Sequence, residues 1–385
     1  MSPVKTGLHR RTAAAGAVAL TLFGVAACGS SGSGDRTQSA PVPSAVPSSA
    51  APSPSSPINL PSSLGLPSLG DLKKWKFSDW DTWAKQHAIP QAVKGFWNLQ
   101  KMLQAKPTDP VAPPQQPTDG STDPLPAPIP AQAIAHPYKQ NAVDGKLFFD
   151  VAPGQHAVCS ATVISDPQHP GKSNLIWTAG HCLTTGKSGQ QYSNIVFVPA
   201  FNSSGAVSGG KQPTDASQFA PFGIWDATTA ISSPQWYAEG SEEGGPASQY
   251  DFGILKVENQ DGGGKSLEET VGGSVPVWFN APRDQLTAVT AIGFPSATPY
   301  DGMEMESCAG GKPTRLAFDT SRPAMNVIGC TMTPGSSGGG WFAMRDGKPA
   351  LVSNTSIGPA QSGWLAGPYL DDVAQSALAY ISKKD

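Results

Sequence analysis

Within Cys330–Trp341, CTMTPGSSGGGW, two serines stand side by side among glycines. Gly335 to Gly339 satisfy G-x-S-x-G, a pattern that presents a serine on a tight turn as a nucleophile for acyl transfer. A serine hydroxyl is weak at neutral pH and needs a general base, most often histidine. The chain has six: His9, His87, His136, His156, His169 and His181. His181 lies in LIWTAGHCL (175–183), where a β-type run enters TAGH, so its imidazole is expected at a strand end beside a cysteine that pins its backbone. None of the six follows Ser337.

TAGHC and GSSGG resemble the histidine motif and the nucleophile loop, G-D-S-G-G, of the chymotrypsin-like (trypsin-fold) serine proteases, in particular bacterial secreted members of the actinobacterial type. CSATVI, at Cys159, stands where that family has the strand leading up to the histidine. An α/β-hydrolase elbow also carries G-x-S-x-G, but its partners follow in the order serine, acid, histidine, and no histidine is available downstream. The chymotrypsin-like order needs an acid between His181 and Ser337. Asp251, in SQYDFGILKV, opens an apolar strand as the family's D-I-A-L-L does, so its carboxylate is expected against the imidazole. Asp215, Asp226, Asp284 and Asp301 sit in turn-like or polar surroundings that suit solvated roles.

The resemblance implies that Ser337 attacks a carbonyl, His181 moves the proton and Asp251 orients and stabilises the imidazolium. It places the oxyanion hole at the N–H groups of Gly335 and Ser337. Ser337 is preferred over Ser336 because it is third in G-x-S-G-G and is followed directly by glycines. Ser336 stands where the family usually has the aspartate that pairs with a freshly cleaved N-terminal amine, and no Ile-Val-Gly-Gly start precedes GKLFFDV. Activation by that ion pair is therefore not expected. Thr331, six residues before the nucleophile, is not acidic, so cleavage after Lys or Arg is unsupported. The glutamate-specific members use a pocket histidine downstream of the acid, which this chain lacks. Thr331 and Ser356 are the expected pocket residues, with VSNTSIG as the strand that pairs with an extended peptide.

The elements that must carry these residues follow from composition. Residues 1–27 have Lys5, Arg10 and Arg11 before a short apolar run, which fits a secretory signal and is too short for a comfortable membrane span. The run ends in GVAAC and resembles a bacterial lipoprotein signal, with Cys28 as the lipid-bearing residue. Residues 28–70, rich in Ser, Pro, Ala and Gly, read as a disordered tether. In residues 71–104, Trp80, Trp83, Val93, Phe96, Trp97 and Leu103 recur at helical spacing. Two short amphipathic helices are expected there, one capped by Ser78 with Asp81 and one opened by Pro90. They pack on the downstream domain or serve as a pro-region, with a membrane surface as the other candidate. A Pro-rich linker (105–136) precedes a domain at 137–385. Its many short β-type runs between Gly/Pro/Asn/Asp turns predict an all-β fold. With the family resemblance this becomes two six-stranded antiparallel β-barrels and a C-terminal α-helix in YLDDVAQSALAYISKK.

Without Cys28, four cysteines remain, Cys159, Cys182, Cys308 and Cys330, an even set that suits two disulfides in an exported protein. Three connectivities are possible; pairing neighbours closes the shortest loops, and the resemblance joins Cys159 to Cys182. No C-x-x-C metal spacing occurs and no cofactor is implied. A net charge of -3 with 14% charged residues leaves no basic stripe for nucleic acid. The reading is an extracytoplasmic serine endopeptidase acting on protein or peptide, tethered to the outer face of the membrane through Cys28 or secreted. The alternatives are a catalytically silent protease-fold binding module and an esterase using the same three residues.

Overall fold

The computed structural model describes residues 68–113 and 121–384. The signal segment, Cys28 and nearly all of the expected tether lie outside the described residues. Two short strands, β1 (Lys106–Pro107) and β2 (Gln132–Ala133), come before the main β structure. Six strands then form the first half of the domain: β3 (Asp144–Ala152), β4 (Gln155–Ile164), β5 (Leu175–Thr178), β6 (Ser193–Pro199), β7 (Trp225–Ser232) and β8 (Gly253–Asn259). Their order is β4-β3-β6-β7-β8-β5, and β4 also pairs with β5, so the antiparallel sheet closes on itself. Closure removes free edges and leaves an interior that side chains fill. Leu147, Phe149, Val158, Val196, Phe197 and Leu255 belong to the buried cluster packed on the two faces of this sheet.

The second half contains β9 (Thr290–Gly293), β10 (Glu306–Ala309), β11 (Thr314–Leu316), β12 (Met325–Cys330), β13 (Gly340–Arg345), β14 (Lys348–Asn354) and β15 (Gly363–Gly367). Here the strands form two sheets rather than one closed ring: β14-β13-β9-β10-β2, and β11-β12-β15. Ile328, Trp341, Val352 and Leu365 pack between them. Cys308 on β10 and Cys330 on β12 are bonded, which staples one sheet to the other. The other disulfide joins Cys159 on β4 to Cys182, so both pairs are sequence neighbours.

Helices α1 (Leu69–Leu72), α2 (Phe77–Gln86) and α3 (Leu99–Gln104) come first in the described chain, α4 (Pro234–Glu239) and α5 (Leu267–Val271) interrupt the strands, and α6 (Asp372–Lys383) closes it. α6 falls within YLDDVAQSALAYISKK, and the Asp371 carboxylate caps its start by accepting the Val373 N–H at 2.9 Å. The α2 start differs from the expectation. Its first turn is closed by Asp79, whose carboxylate accepts the Lys76 N–H at 2.8 Å, and not by Ser78 with Asp81. Asp81 instead accepts from Lys384 at 2.6 Å and Tyr380 at 3.1 Å, beside and on α6. Pro90 opens no helix; α3 begins at Leu99, where Asn98 Oδ1 accepts the Lys101 N–H at 3.0 Å.

The aromatic anchors of 71–104 are turned onto the rest of the chain. Trp80 is buried against α6 and donates to Ser376 Oγ at 2.7 Å, and Trp97 donates to the Asn194 carbonyl at 2.6 Å. Among the described residues no helix is long and apolar enough to cross a membrane.

Candidate active site

His181 and Asp251 come from the first half of the domain. β5 ends at Thr178 and the chain turns through Gly180–Cys182, while Asp251 lies just before β8, which pairs with β5 through Thr178↔Gly253. Strand pairing therefore brings the histidine turn and the aspartate together although 70 residues separate them. His181 Nδ1 meets Asp251 Oδ2 at 2.7 Å, and the His181 backbone N–H donates to Oδ1 at 2.8 Å. Ser356 Oγ–H adds a third bond to Oδ2 at 2.6 Å. The aspartate is 0% exposed and the histidine 3%. Three donors on one buried carboxylate are what an enclosed charge requires. Burial alone would lower the His181 pKa, but the Asp251 carboxylate, and with it the charge of Asp109, outweighs burial and holds it above the ordinary value.

Ser337 sits on the turn between β12 and β13 and is fully buried. The first half of the domain grips this turn: Ser160 N–H donates to the Ser337 carbonyl at 2.7 Å, and Ser160 Oγ to the Gly335 carbonyl at 2.9 Å. Gly338 has φ +78°, and a Cβ there would lie 2.0 Å from Thr178 Oγ1. Only glycine satisfies both the left-handed backbone and the close approach. Ser336, in the place of the family aspartate, donates to the Thr333 carbonyl at 2.9 Å.

The cradle beside Ser337 holds a group that the motifs did not announce, the side chain of Asp109. The Gly335 N–H donates to its two oxygens at 3.1 and 3.0 Å, the Ser337 N–H also donates to it, and Ser337 Oγ–H donates to Oδ1. Burial pushes the Asp109 pKa up, against the opposing pull of His181 and these donors. His181 Nε2, the nitrogen turned away from Asp251, is buried with no hydrogen-bond partner. The serine hydroxyl is engaged by Asp109 and not by the imidazole.

Two cavities flank Asp109. One of about 500 Å³ beside Ser337 is walled by Met332, Thr333, Pro334, Ala297, Thr298 and Leu365, and no charged side chain other than Asp109 lines it. The other, of about 930 Å³, lies on the His181 side. Thr331 and Ser356, the expected pocket residues, do not line the first cavity. Thr331 Oγ1 accepts the Ala131 N–H at 2.8 Å, and Ser356 is turned to Asp251. In extended chain successive side chains face opposite ways, so their neighbours Met332 and Ile357 line it instead. The passed-over acids have local partners: Asp226 takes Gln260 at 2.6 Å, Asp215 caps a short turn through Ser217 at 2.8 Å, Asp301 accepts the Met303 N–H at 2.9 Å, and Asp284 is exposed. His181, Cys159 and Cys182 lie close enough together to suggest a metal site, but the two sulfurs are bonded to each other and have no thiolate to offer.

A closed antiparallel barrel, a second sheet system, a C-terminal helix and a serine turn gripped between the two halves define the chymotrypsin-like serine protease fold. Solved bacterial serine proteases share it. The thermostable serine protease AL20 from an extremophilic microorganism is 29% identical to this chain, with a TM-score of 0.51, over 64% of this chain and 100% of its own. Protease Anisep from Arthrobacter nicotinovorans is also 29% identical, with a TM-score of 0.50, over 66% of this chain and 100% of its own. No protein-family profile matches the chain, and no curated protein sequence matches it.

Proposed function

We propose that the chain is a serine endopeptidase that hydrolyses peptide bonds outside the cytoplasm through an acyl-enzyme, with His181, Asp251 and Ser337 as its triad. The observation that carries this is the convergence of the Gly335 and Ser337 N–H groups and the Ser337 hydroxyl on a single anionic oxygen group. A cradle that holds a carboxylate also suits the negative oxygen of a tetrahedral intermediate. With a peptide carbonyl there, Ser337 Oγ bonds to the carbonyl carbon while His181 Nε2 takes the hydroxyl proton. The imidazolium formed is stabilised by Asp251 and passes that proton to the leaving amine. Water, activated by the same imidazole, then releases the acid and restores the serine.

Apart from Asp109, the residues lining the 500 Å³ cavity beside Ser337 are uncharged, which favours substrates with an uncharged side chain before the cleaved bond. The Ile357–Gly358 backbone at its rim is the edge on which an extended peptide would align. Two disulfides suit an oxidising compartment, and Cys28 would supply the lipid anchor on the outer face of the membrane. A fluorophosphonate probe tests the assignment: it should label the protein and fail on Ser337→Ala. Labelling that survives the substitution overturns it. Digestion of a peptide library should show uncharged residues before the cut, and a preference for Lys, Arg or Glu there would overturn the pocket reading.

A further inference from the structure

The segment 106–113, KPTDPVAP, lies in the cleft instead of running free between two domains. β1 pairs in parallel with β4 through Lys106↔Ala157 and Pro107↔Val158. Farther along, the Val111 N–H donates to the Glu242 carbonyl at 3.1 Å, and the Gly244 N–H returns a bond to the Val111 carbonyl at 2.8 Å. The Ala112 N–H donates to the Gly358 carbonyl at 2.8 Å. The segment is thus bonded to the first half of the domain on one side and to the rim of the Ser337 cavity on the other. Between these anchors, Thr108 and Pro110 wall the His181 cavity while Asp109, Pro110 and Val111 wall the Ser337 cavity.

We infer that residues 106–113 are a built-in inhibitor of the active site, with the Asp109 carboxylate seated where a substrate's oxyanion would form. The inference rests on the serine protease reading. Three features distinguish the segment from a bound substrate. The group in the cradle is a side-chain carboxylate and not a main-chain carbonyl, so no peptide bond is presented to Ser337. A carboxylate shares its negative charge over two oxygens and is a poor electrophile, so occupancy does not lead to acylation. The Ser337 hydroxyl donates to the occupant, leaving His181 Nε2 without the contact it needs to act as base.

The segment also has the attachment an intramolecular inhibitor needs. It follows α3 directly, and α3 and the Trp97 side chain next to it pack on the first half of the domain. Docking therefore proceeds at the high effective concentration of a short tether. Opening the cleft requires loss of the β1 pairing and the bonds of Asp109, Val111 and Ala112, while α2 and α3 stay in place. Hydrogen bonds to a charged group are the strong ones, so losing the Asp109 set should favour the open cleft by about 100-fold.

The test compares second-order labelling by a fluorophosphonate on the full chain, on Asp109→Ala and on Ala112→Pro, with Ser337→Ala as the blank. Asp109→Ala should label about 100-fold faster than the parent, and Ala112→Pro, which loses one backbone bond, about 5-fold faster. A synthetic peptide of residues 104–113 should slow labelling of Asp109→Ala, and the same peptide with alanine for the aspartate should not. Equal rates for the parent and Asp109→Ala, both at Ser337, would overturn the inhibitor and leave the protease reading standing. No labelling of any chain would overturn both. A peptide that slows labelling equally well without its aspartate would overturn the role given to the carboxylate.

Discussion

The proposed acid–base arm of the site, His181 with Asp251, and the proposed nucleophile arm, residues 333–340, are both largely buried but differently completed. Asp251 accepts three bonds, all from groups that belong to the protease-like domain itself. Ser337 and Gly335 find their partner in a residue more than two hundred positions upstream. The first arm is finished by the fold that positions it. The second is finished by a segment that, on the inhibitor reading, withdraws, and with the segment in place one nitrogen of the first arm, His181 Nε2, has no partner. On the proposed reading the barrel builds the base permanently, and the nucleophile becomes available to it only when Asp109 withdraws.

The largest effect should come from breaking the permanent arm. In an Asp109→Ala background, Asp251→Asn keeps the shape but removes the charge and permits the wrong imidazole tautomer, so kcat should fall by roughly 10⁴-fold. Turnover of an uncharged peptide ester or anilide measures it; a loss below about tenfold would mean that another acid serves His181.

The next effect separates the arms by pH. The charge of docked Asp109 helps to raise the His181 pKa, so docking takes up a proton on the imidazole: it is strongest below the value His181 has with the segment withdrawn and weakens as pH rises through the docked one. The ratio of labelling rates, Asp109→Ala over parent, should shrink severalfold as pH rises through that window. Glu242, Glu243 and Lys187 also line the cleft, and comparing two chains that share them cancels their titration. A ratio that grows with pH would contradict the docking sign.

Another substitution probes the third donor on Asp251. Ser356→Ala removes one of three bonds to that carboxylate, and kcat should drop by about tenfold with KM little changed, because the hydroxyl faces the aspartate and not the cavity. A rise in KM with kcat preserved would return Ser356 to the substrate pocket.

These contrasts parallel what was readable in the sequence. TAGHC, YDFGIL and GSSGG are local signatures of turns at strand ends, and the neighbouring cysteines bond as the shortest loops suggest. Asp109 carries no such mark. It stands in a Pro-rich stretch with Asp119 and Asp123 nearby, and its placement depends on backbone bonds to residues 157, 242–244 and 358, which no local pattern encodes. Asp123, by contrast, pairs at the surface with Arg315 at 2.8 Å. Thr331 and Ser356 face away from the Ser337 cavity for a different reason: one residue along extended chain is enough to turn a side chain to the opposite face, and their neighbours Met332 and Ile357 line it. The α2 start was missed because Asp81 is drawn to Lys384 and Tyr380, a tertiary demand that a capping pattern does not register.

The smallest expected effect concerns what stands behind the nucleophile arm, where Ser336 occupies the place of the aspartate in the motif the chain resembles. Ser296 backs the turn, since a Cβ on Gly335 would lie 2.6 Å from its Oγ, and a Cβ on Gly302 would be 2.4 Å from that Oγ and 3.1 Å from Lys146 Nζ. Lys146 is a buried amine that donates to the Gly302 carbonyl at 2.7 Å, with the rings of Phe148, Phe201 and Phe294 at 4.9 to 5.8 Å. Burial pulls its pKa down to about 7 from 10.5. Because the folded value lies below the unfolded one, the folded state disfavours the charge, and stability is lost progressively as pH falls from about 10.5 to about 7. Lys146→Met keeps the stem among the rings and removes the charge. At about pH 6 its Tm should exceed the parent's by about 5 °C, at roughly 2–4 °C per kcal/mol, and the gap should close near about pH 10. A gap that is unchanged across that range would show that Lys146 acts through packing alone, and a lower Tm at the acid end would show that the Gly302 bond outweighs the cost of the buried charge.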